Sequence, residues 1–169
     1  EAINCFNKTL NISEEINDQF GKAYALGCLG LVYESQGNYE QALIYHEKSL
    51  NISKGLEDKS QYASSLVDIA RIYKTHRNYE KAFEYLNRSL TIYTEIENKE
   101  GIADCLNLMG LIHENKGKHK EALDCYNKCL VIHQELGNLN GLANTYNNIG
   151  ILYKKMHTDD ERVSSGSFC

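Results

Sequence analysis

The chain has 169 residues, of which 42% are hydrophobic and 24% charged, and its formal net charge is -5. This composition is typical of a folded protein and excludes disorder throughout the chain. The acidic balance and the scattered lysines and arginines argue against a nucleic-acid surface, which needs clustered cations. No apolar run approaches the roughly 18 residues needed to cross a bilayer. We therefore expect neither a nucleic-acid partner nor a membrane partner.

The six cysteines lack the spacing of a disulfide framework, and a chain of this length does not need one. Reduced thiols favour a cytoplasmic location. The repeat register described next places Glu1 inside a helix, so we expect that a natural start, and any signal preceding it, is missing from this sequence.

The sequence repeats with a period of 40 residues, so equivalent positions are found by subtracting 40. Alanines, large apolar residues, small residues and aromatic residues then recur at spacings of three, four and seven, which predicts the buried face of a first helix. The columns are Ala23, Ala63, Ala103 and Ala143; Leu26, Leu66, Leu106 and Tyr146; Gly30, Ala70, Gly110 and Gly150; and Tyr33, Tyr73, His113 and Tyr153. Because glycine is unfavourable inside a helix, the small-residue column predicts a close approach between two helices.

A short turn is expected after Gly37, Arg77, Gly117 and His157, and in the complete units a second helical pattern follows it. Its columns are Ala2, Ala42, Ala82 and Ala122; Ile3, Leu43, Phe83 and Leu123; Leu10, Leu50, Leu90 and Leu130; and Ile12, Ile52, Ile92 and Ile132. The sequence therefore predicts an all-α fold built from repeated antiparallel helical hairpins.

These columns resemble the tetratricopeptide repeat (TPR). The residues that match its pattern in one unit are Leu26, Leu29, Gly30, Tyr33, Ala42 and His46. The chain departs from the family in its 40-residue period, against the usual length of about 34, and in having no proline. The long period is similar to repeats of bacterial signalling proteins and spindle-orientation adaptors. The resemblance implies a right-handed α-α superhelix, or solenoid, whose first helices line a concave groove.

The register divides the chain into a half repeat over 1–20, full repeats over 21–60, 61–100 and 101–140, and a partial repeat over 141–157. Asp159 and Arg162 stand where the pattern needs Tyr and Ala, so we expect residues 158–169 to form a disordered tail. Solenoids normally shield both ends with polar caps. The unshielded ends therefore predict end-to-end self-association or marginal stability.

In the family that the chain resembles, partner peptides usually lie in the concave groove, which side chains beside the buried stripe of each first helix are expected to face. The candidate groove residues are Tyr24, Cys28, Leu31, Asp68, Arg71, Lys74, Leu108, Leu111, Asn144, Asn147, Asn148, Ile151 and Lys155. Leu31, Leu111 and Ile151 are equivalent and aliphatic, which indicates an apolar contact with a ligand or, alternatively, packing against the neighbouring helix. Lys74, Lys154 and Lys155 favour an acidic ligand.

The amides of Asn144, Asn147 and Asn148 can bond to the backbone of an extended peptide, and a solvated polar helix face explains them equally well. Spindle-orientation adaptors carry Asn in the column of Asn148. Chaperone-binding members grip a terminal carboxylate with a clamp of Lys, Asn and Arg, which is missing here. Arg71 occupies one of its columns and, alternatively, pairs with Asp68 three residues earlier.

The strongest metal candidates are Cys125, Cys129 and His133, which share one helical face, with His119 in the preceding turn. Three ligands on one straight helix cannot surround a tetrahedral ion, and small or semi-apolar residues fill the equivalent columns. We therefore interpret these side chains as structural and expect no metal and no cofactor. No nucleophile, base and orienting residue come together in the register, so we expect no catalysis.

The sequence thus predicts a non-catalytic protein-protein interaction scaffold that binds a peptide or partner protein in its concave groove. The alternative, which the resemblance implies, is a regulatory or sensory segment of a larger signalling enzyme of the histidine kinase or nucleotide cyclase type.

Overall fold

The helices of the chain, in a computed structural model, begin at intervals that follow the sequence period. The structure describes the backbone of residues 1–56 and 58–166, and the side chains of this part as far as residue 158. Within it there are eight helices and no strand. They are α1 (Ala2–Glu15), α2 (Gln19–Ser35), α3 (Tyr39–Ser53), α4 (Lys59–Thr75), α5 (Tyr79–Glu95), α6 (Lys99–Asn115), α7 (His119–Leu136) and α8 (Leu139–Gly166). The predicted all-α fold is confirmed.

Side-chain caps fix where most of these helices start. At the starts of α2 and α4, Asp18 and Asp58 accept hydrogen bonds from the amides three residues later, over 3.0 Å in each case. Asn98 and Asn138 do the same for α6 and α8, over 2.9 Å. A carboxylate or amide oxygen at this position satisfies a backbone donor that the helix itself leaves free. The caps recur every 40 residues, so the period sets the helix starts as well as the core.

Left-handed residues reverse the chain between the two helices of a unit. Gly37, Arg77 and Gly117 have φ values of 74°, 58° and 68°. Glycine adopts this conformation without strain, whereas for Arg77 it costs about 1 kcal/mol. The hairpin geometry therefore outweighs a local backbone preference in the unit that contains Arg77.

The turn expected after His157 is absent, because α8 continues without interruption to Gly166. Residues 158–166, which we expected to belong to a disordered tail, are helical, while 167–169 lie outside the described residues. No glycine or proline occurs between Gly150 and Gly166. The segment consequently has no residue that readily breaks a helix.

The contacts divide the chain into two units, residues 1–101 and 102–169, and each is described by itself. In the first unit, α1 to α5 pack on one another in chain order, and α2 also contacts α4. Ala23, Leu29, Leu66, Ile69 and Leu86 are completely buried there. The predicted alanine column of the second helix is equally buried at Ala42 and Ala82.

In the second unit, α7 packs against α8. Its core contains Ala122, Tyr126 and Leu152, and Leu111 and Met156 pack against this cluster. The first-helix columns do not predict burial correctly in α8. Ala143, Tyr146, Gly150 and Tyr153 are all exposed. The described residues include no second helix after α8 that covers this face. In unit 1, by contrast, α3 packs against α2, and α5 packs against α4.

The small-residue column marks the expected close approach between helices. A Cβ atom added to Gly30 would lie 2.6 Å from the ring of His46. In the next 40-residue repeat, Ala70 and Leu86 occupy the same two columns, and both are completely buried. A glycine therefore stands where the second helix presents a ring, and an alanine where it presents a leucine.

Candidate functional site

The first-helix face of unit 1 comprises the predicted residues of α2 and α4: Tyr24, Cys28, Leu31, Asp68, Arg71 and Lys74. Leu31 is 45% exposed, and Tyr24 is exposed as well. Cys28, Asp68, Arg71 and Lys74 are half-buried. The face therefore combines an accessible aliphatic side chain and an accessible aromatic ring with charged groups that are largely withdrawn from water.

The charged groups of this face neutralise one another. The Nη1 atom of Arg71 donates a hydrogen bond to Asp68 Oδ1 over 2.9 Å and lies 3.6 Å from Glu34 Oε2. This geometry confirms the pairing of Arg71 with Asp68, one of the two interpretations drawn from the sequence. Because two carboxylates flank it, Arg71 does not present an unpaired charge to a ligand.

His46 on α3 lies beneath these ion pairs and is completely buried. Its Nδ1 atom is 3.8 Å from Asp68 Oδ2, and neither ring nitrogen has a hydrogen-bond partner. Burial lowers the pKa of His46 to about 4; Glu34 opposes this shift and Arg71 adds to it. Burial also raises the pKa of Asp68, against the effect of Arg71. The imidazole is therefore neutral at pH 7.

Two further side chains of this face have perturbed acidities. Burial lowers the pKa of Lys74, and the nearby Arg71 charge lowers it further. Burial raises the pKa of the Cys28 thiol. A thiol whose pKa is raised is a poor nucleophile at neutral pH, so Cys28 is suited to contact rather than to covalent chemistry.

The first-helix face of unit 2 comprises the remaining predicted residues: Leu108, Leu111, Asn144, Asn147, Asn148, Ile151 and Lys155. Asn144 and Asn147 are exposed. Asn148 donates from Nδ2 to Asn107 Oδ1 over 2.9 Å. Each of these amides has more donors and acceptors than this one bond uses. The asparagines therefore form a polar patch that spans α6 and α8.

Lys155 is exposed, but it is paired with a buried carboxylate and is not a free cation. Its Nζ atom lies 2.5 Å from Glu114 Oε1, and the other Glu114 oxygen accepts a hydrogen bond from Tyr126 over 2.9 Å. The Glu114 side chain is buried, and burial and Glu114 both raise the pKa of Tyr126. The lysine thus compensates a carboxylate that would otherwise be costly to bury.

The aliphatic column is not uniform in its exposure. Ile151 is 43% exposed, close to the value for Leu31. Leu111 packs against the core cluster of unit 2, which was the alternative interpretation of this column. Leu108 is only 6% exposed and offers no surface to a ligand, contrary to its assignment to the groove. Of the aliphatic candidates, Leu31 and Ile151 are therefore the accessible ones.

Cys129, one of the metal candidates of the sequence, has a structural role in unit 2. Cys129 Sγ donates to the carbonyl oxygen of Ala103 over 3.3 Å. Ser49 and Ser89 stand in the same column and make the equivalent bonds to Ala23 and Ala63, each over 2.8 Å. Burial raises the pKa of Cys129 to about 12. Among the described residues no three His, Cys, Asp or Glu side chains are placed to hold a metal ion.

Sequence reasoning did not identify Glu34 or Glu114 as members of the two faces. They occupy equivalent positions, three residues after Leu31 and Leu111. The available signal was a column that alternates Glu34, Lys74, Glu114 and Lys154. A column that changes sign between units indicates pairing within the fold more than a common ligand.

Comparison with known proteins bears on the fold. A family model described as tetratricopeptide repeat matches residues 1–53, 21–95 and 101–161. No match is found among curated proteins. Within the described residues, no helix combines the length and the apolar character needed to span a bilayer.

Three solved structures illustrate the likeness. BtubC from P. vanneervenii is 21% identical with a TM-score of 0.77, covering 88% of this chain and 63% of its own. A Rap conjugation gene regulator of the plasmid pLS20, in complex with a Phr peptide, is 16% identical with a TM-score of 0.73, covering 85% of this chain and 40% of its own. Aspartyl phosphate phosphatase F from Bacillus subtilis is 14% identical with a TM-score of 0.74, covering 98% and 49%. At these identities the likeness shows the fold alone, and this chain spans 40% to 63% of their lengths.

Proposed function

Because this chain belongs to the tetratricopeptide repeat family, we propose that it is a non-catalytic interaction scaffold, and that the first-helix face of each unit, by itself, binds an extended segment of a partner protein. The observation that carries this proposal is the exposure of Leu31 and Ile151, at 45% and 43%, in equivalent positions of α2 and α8. Exposed aliphatic side chains beside polar amides suit an interface that combines apolar contacts with hydrogen bonds to peptide groups.

The polar part of the interface is supplied by the asparagines of unit 2. Asn144 and Asn147 are exposed, and each side chain carries one acceptor oxygen and two donor hydrogens. Such amides can pair with both the N–H and the C=O of an extended backbone. Affinity for the face of unit 2 would then come from the main chain of the ligand, and selectivity from side chains that contact Ile151.

The charge of the ligand is less constrained than the lysines and arginine of the sequence indicate. Arg71 is flanked by Asp68 and Glu34, and Lys155 is held by Glu114. These cations are already compensated within the fold. We therefore propose a ligand that is recognised by apolar and amide contacts, in preference to one gripped by its carboxylates.

The experiment is a peptide-display selection on the wild-type chain, followed by fluorescence anisotropy with the selected peptide. Leu31→Asp should weaken binding of a peptide that occupies the face of unit 1, and Ile151→Asp that of a peptide that occupies the face of unit 2, each about tenfold or more, because a charge would replace an apolar contact. The matched controls are Ile44→Asp on α3 and Val131→Asp on α7, whose side chains are 43% and 53% exposed on second helices. Binding that survives both first-helix variants and is lost in a control would disprove the proposal.

A second candidate is a regulatory segment of a larger signalling protein. The observation in its favour is that this chain spans only 40% of the Rap regulator and 49% of the phosphatase whose folds it shares. The full-length transcript of the parent gene would decide the matter. A reading frame that joins these repeats to a kinase or cyclase domain would support this candidate, and a frame confined to repeats would contradict it.

A further inference from the structure

Unit 1 contains a cavity whose lining includes none of the residues of the first-helix face. Its volume is about 390 Å³, within the range of small-ligand pockets. It lies where α1, α2 and α3 meet, and we call it the outer cavity. Its apolar lining consists of Leu10, Leu26 and Ile52, and its charged lining includes Glu14, Lys22 and Lys48.

The repeat register shows what distinguishes the outer cavity from the equivalent place 40 residues later, which also lies in unit 1. Leu10, Leu26 and Ile52 have the identical equivalents Leu50, Leu66 and Ile92, so the apolar lining is repeated. The equivalents of Lys22, by contrast, are Tyr62, Ile102 and Leu142. Among the four equivalent positions, only position 22 has a lysine in place of a bulky apolar or aromatic residue.

In the next 40-residue repeat, the position equivalent to Lys22 is occupied by Tyr62. Arg88 Nη2 donates a hydrogen bond to the Tyr62 hydroxyl over 2.8 Å. Arg88 is the equivalent of Lys48, so this bond joins the two positions that Lys22 and Lys48 hold at the outer cavity. The fold thus accommodates a tyrosine ring between a first helix and the cation of the following second helix.

Lys22 does not reproduce that arrangement. Its Nζ atom lies 2.7 Å from Glu14 Oε1 on α1, so it pairs with that carboxylate. Lys48 is exposed, with its Nζ atom 5.4 Å from the centre of the Tyr45 ring. The charged lining therefore contains two cations against one carboxylate, which favours an occupant with an acceptor oxygen or an acidic neighbour.

From this juxtaposition we propose that the outer cavity binds a tyrosine side chain of a partner protein. The ring lies against Leu10, Leu26 and Ile52, and its hydroxyl oxygen accepts a hydrogen bond from Lys48, as the Tyr62 oxygen does from Arg88. Acidic residues beside the tyrosine strengthen binding through the positive balance of the lining. The site lies between α1, α2 and α3, and it shares no lining residue with the first-helix face of unit 1.

The test uses two short peptides, acetyl-Asp-Tyr-Asp-amide and acetyl-Asp-Ala-Asp-amide, titrated into the labelled full chain while nitrogen-proton correlation spectra are recorded. The tyrosine peptide should give saturable shifts at Lys22, Leu26 and Lys48. The alanine peptide should give none, because it lacks the ring that fills the cavity. No saturable shift with the tyrosine peptide, or shifts at Leu31 and Arg71 instead, would overturn the proposal.

The decisive variant is Lys22→Tyr, which supplies from within the chain the ring that the next unit already has. It should keep the fold, because Tyr62 is accommodated at the equivalent position, and it should weaken binding of the tyrosine peptide about tenfold or more. Undiminished binding to this variant would disprove the assignment.

A second variant keeps the test informative if Lys22→Tyr fails to fold. Lys48→Ala removes the proposed donor and should weaken binding of the tyrosine peptide, whereas Lys128→Ala, the equivalent change in unit 2, should leave it unaltered. Equal effects of the two alanine variants would contradict a specific site at the outer cavity.

Discussion

Gly110 on α6 lies directly against the ring of Tyr126 on α7, so closely that an added Cβ atom would be 2.5 Å from Tyr126 Cε1. Gly30 and His46, which are two repeats earlier in the chain, are related in the same way. The glycine is therefore required by the ring of the second helix, which could not approach a larger residue. Glycine destabilises the helix relative to alanine, and it is tolerated here because it leaves room for the aromatic ring.

This relationship predicts that Gly110→Ala destabilises the chain although alanine is the better helix former. The ring must shift to make room for the methyl group, and overpacking of this kind lowers the free energy of unfolding by about 1 to 3 kcal/mol. Urea denaturation followed by circular dichroism measures the change.

The matched control is Gly150→Ala on α8, in the same column. A Cβ atom added there would meet nothing within 4 Å. Only helix propensity then operates, so the free energy of unfolding should rise, by up to about 1 kcal/mol. Equal effects of the two substitutions would show that the contact with Tyr126 does not determine the need for glycine.

His46 predicts a loss of stability in mild acid. Its folded pKa of about 4 lies below the ordinary value of 6.5, so between these values the unfolded chain binds the proton more readily. The contribution is fully present above pH 6.5, declines as the pH falls, and has been lost below pH 4. The difference between a pKa of 6.5 and one of about 4 corresponds to about 3 kcal/mol of unfolding free energy.

The measurement is the free energy of unfolding as a function of pH, for the wild type and for His46→Leu, which introduces the residue found at Leu86. Glu34, Asp68 and Arg71 also face His46, and they remain in the variant. The difference between the two pH profiles therefore isolates the imidazole. Parallel profiles between pH 4 and pH 6.5 would contradict the assigned pKa.

Tyr126→Phe should destabilise unit 2, because Glu114 would lose the donor on one of its two buried oxygens. A hydrogen bond to a charged group contributes roughly 1.5 to 3 kcal/mol, and that is the expected fall in the free energy of unfolding. The control is Tyr153→Phe on the exposed face of α8, which should change little. Chemical denaturation distinguishes the two, and a neutral Tyr126→Phe would exclude an important contribution from the network.

The column that contains Ser49, Ser89 and Cys129 predicts a graded response at Ser89. Ser89→Ala removes the bond to the Ala63 carbonyl and should cost about 1 kcal/mol of unfolding free energy. Ser89→Cys should cost less, because Cys129 makes the equivalent bond to Ala103 with its thiol. Thermal denaturation compares the variants, and the reverse order of stability would show that volume, not hydrogen bonding, governs this column.

Much of the fold could be predicted from the sequence because the repeat displays each position several times. Ala42, Ala82 and Ala122 are completely buried, as their column predicts. The pattern failed at α8, where Tyr146 and Tyr153 are exposed. Burial depends on what covers a face, and none of the described helices supplies that cover.

The candidate site was less predictable, because exposure and pairing are properties of neighbouring helices. Leu31, Leu111 and Ile151 are equivalent and aliphatic in sequence, yet Leu111 packs against the core cluster of unit 2, whereas Leu31 and Ile151 are exposed. Likewise, Lys155 appears in sequence as a free cation. Glu114, which is 41 residues away along the chain, holds it at 2.5 Å.

The sequence by itself determined the helical hairpins, their 40-residue spacing and the small-residue column, since helical periodicity and backbone preferences are local and recur in every unit. Only the tertiary structure decided which members of each column meet water, which charges compensate one another, and where α1, α2 and α3 leave a cavity. Those outcomes depend on the side chains of an adjacent helix, and a difference of one residue between units, such as Lys22, is enough to change them.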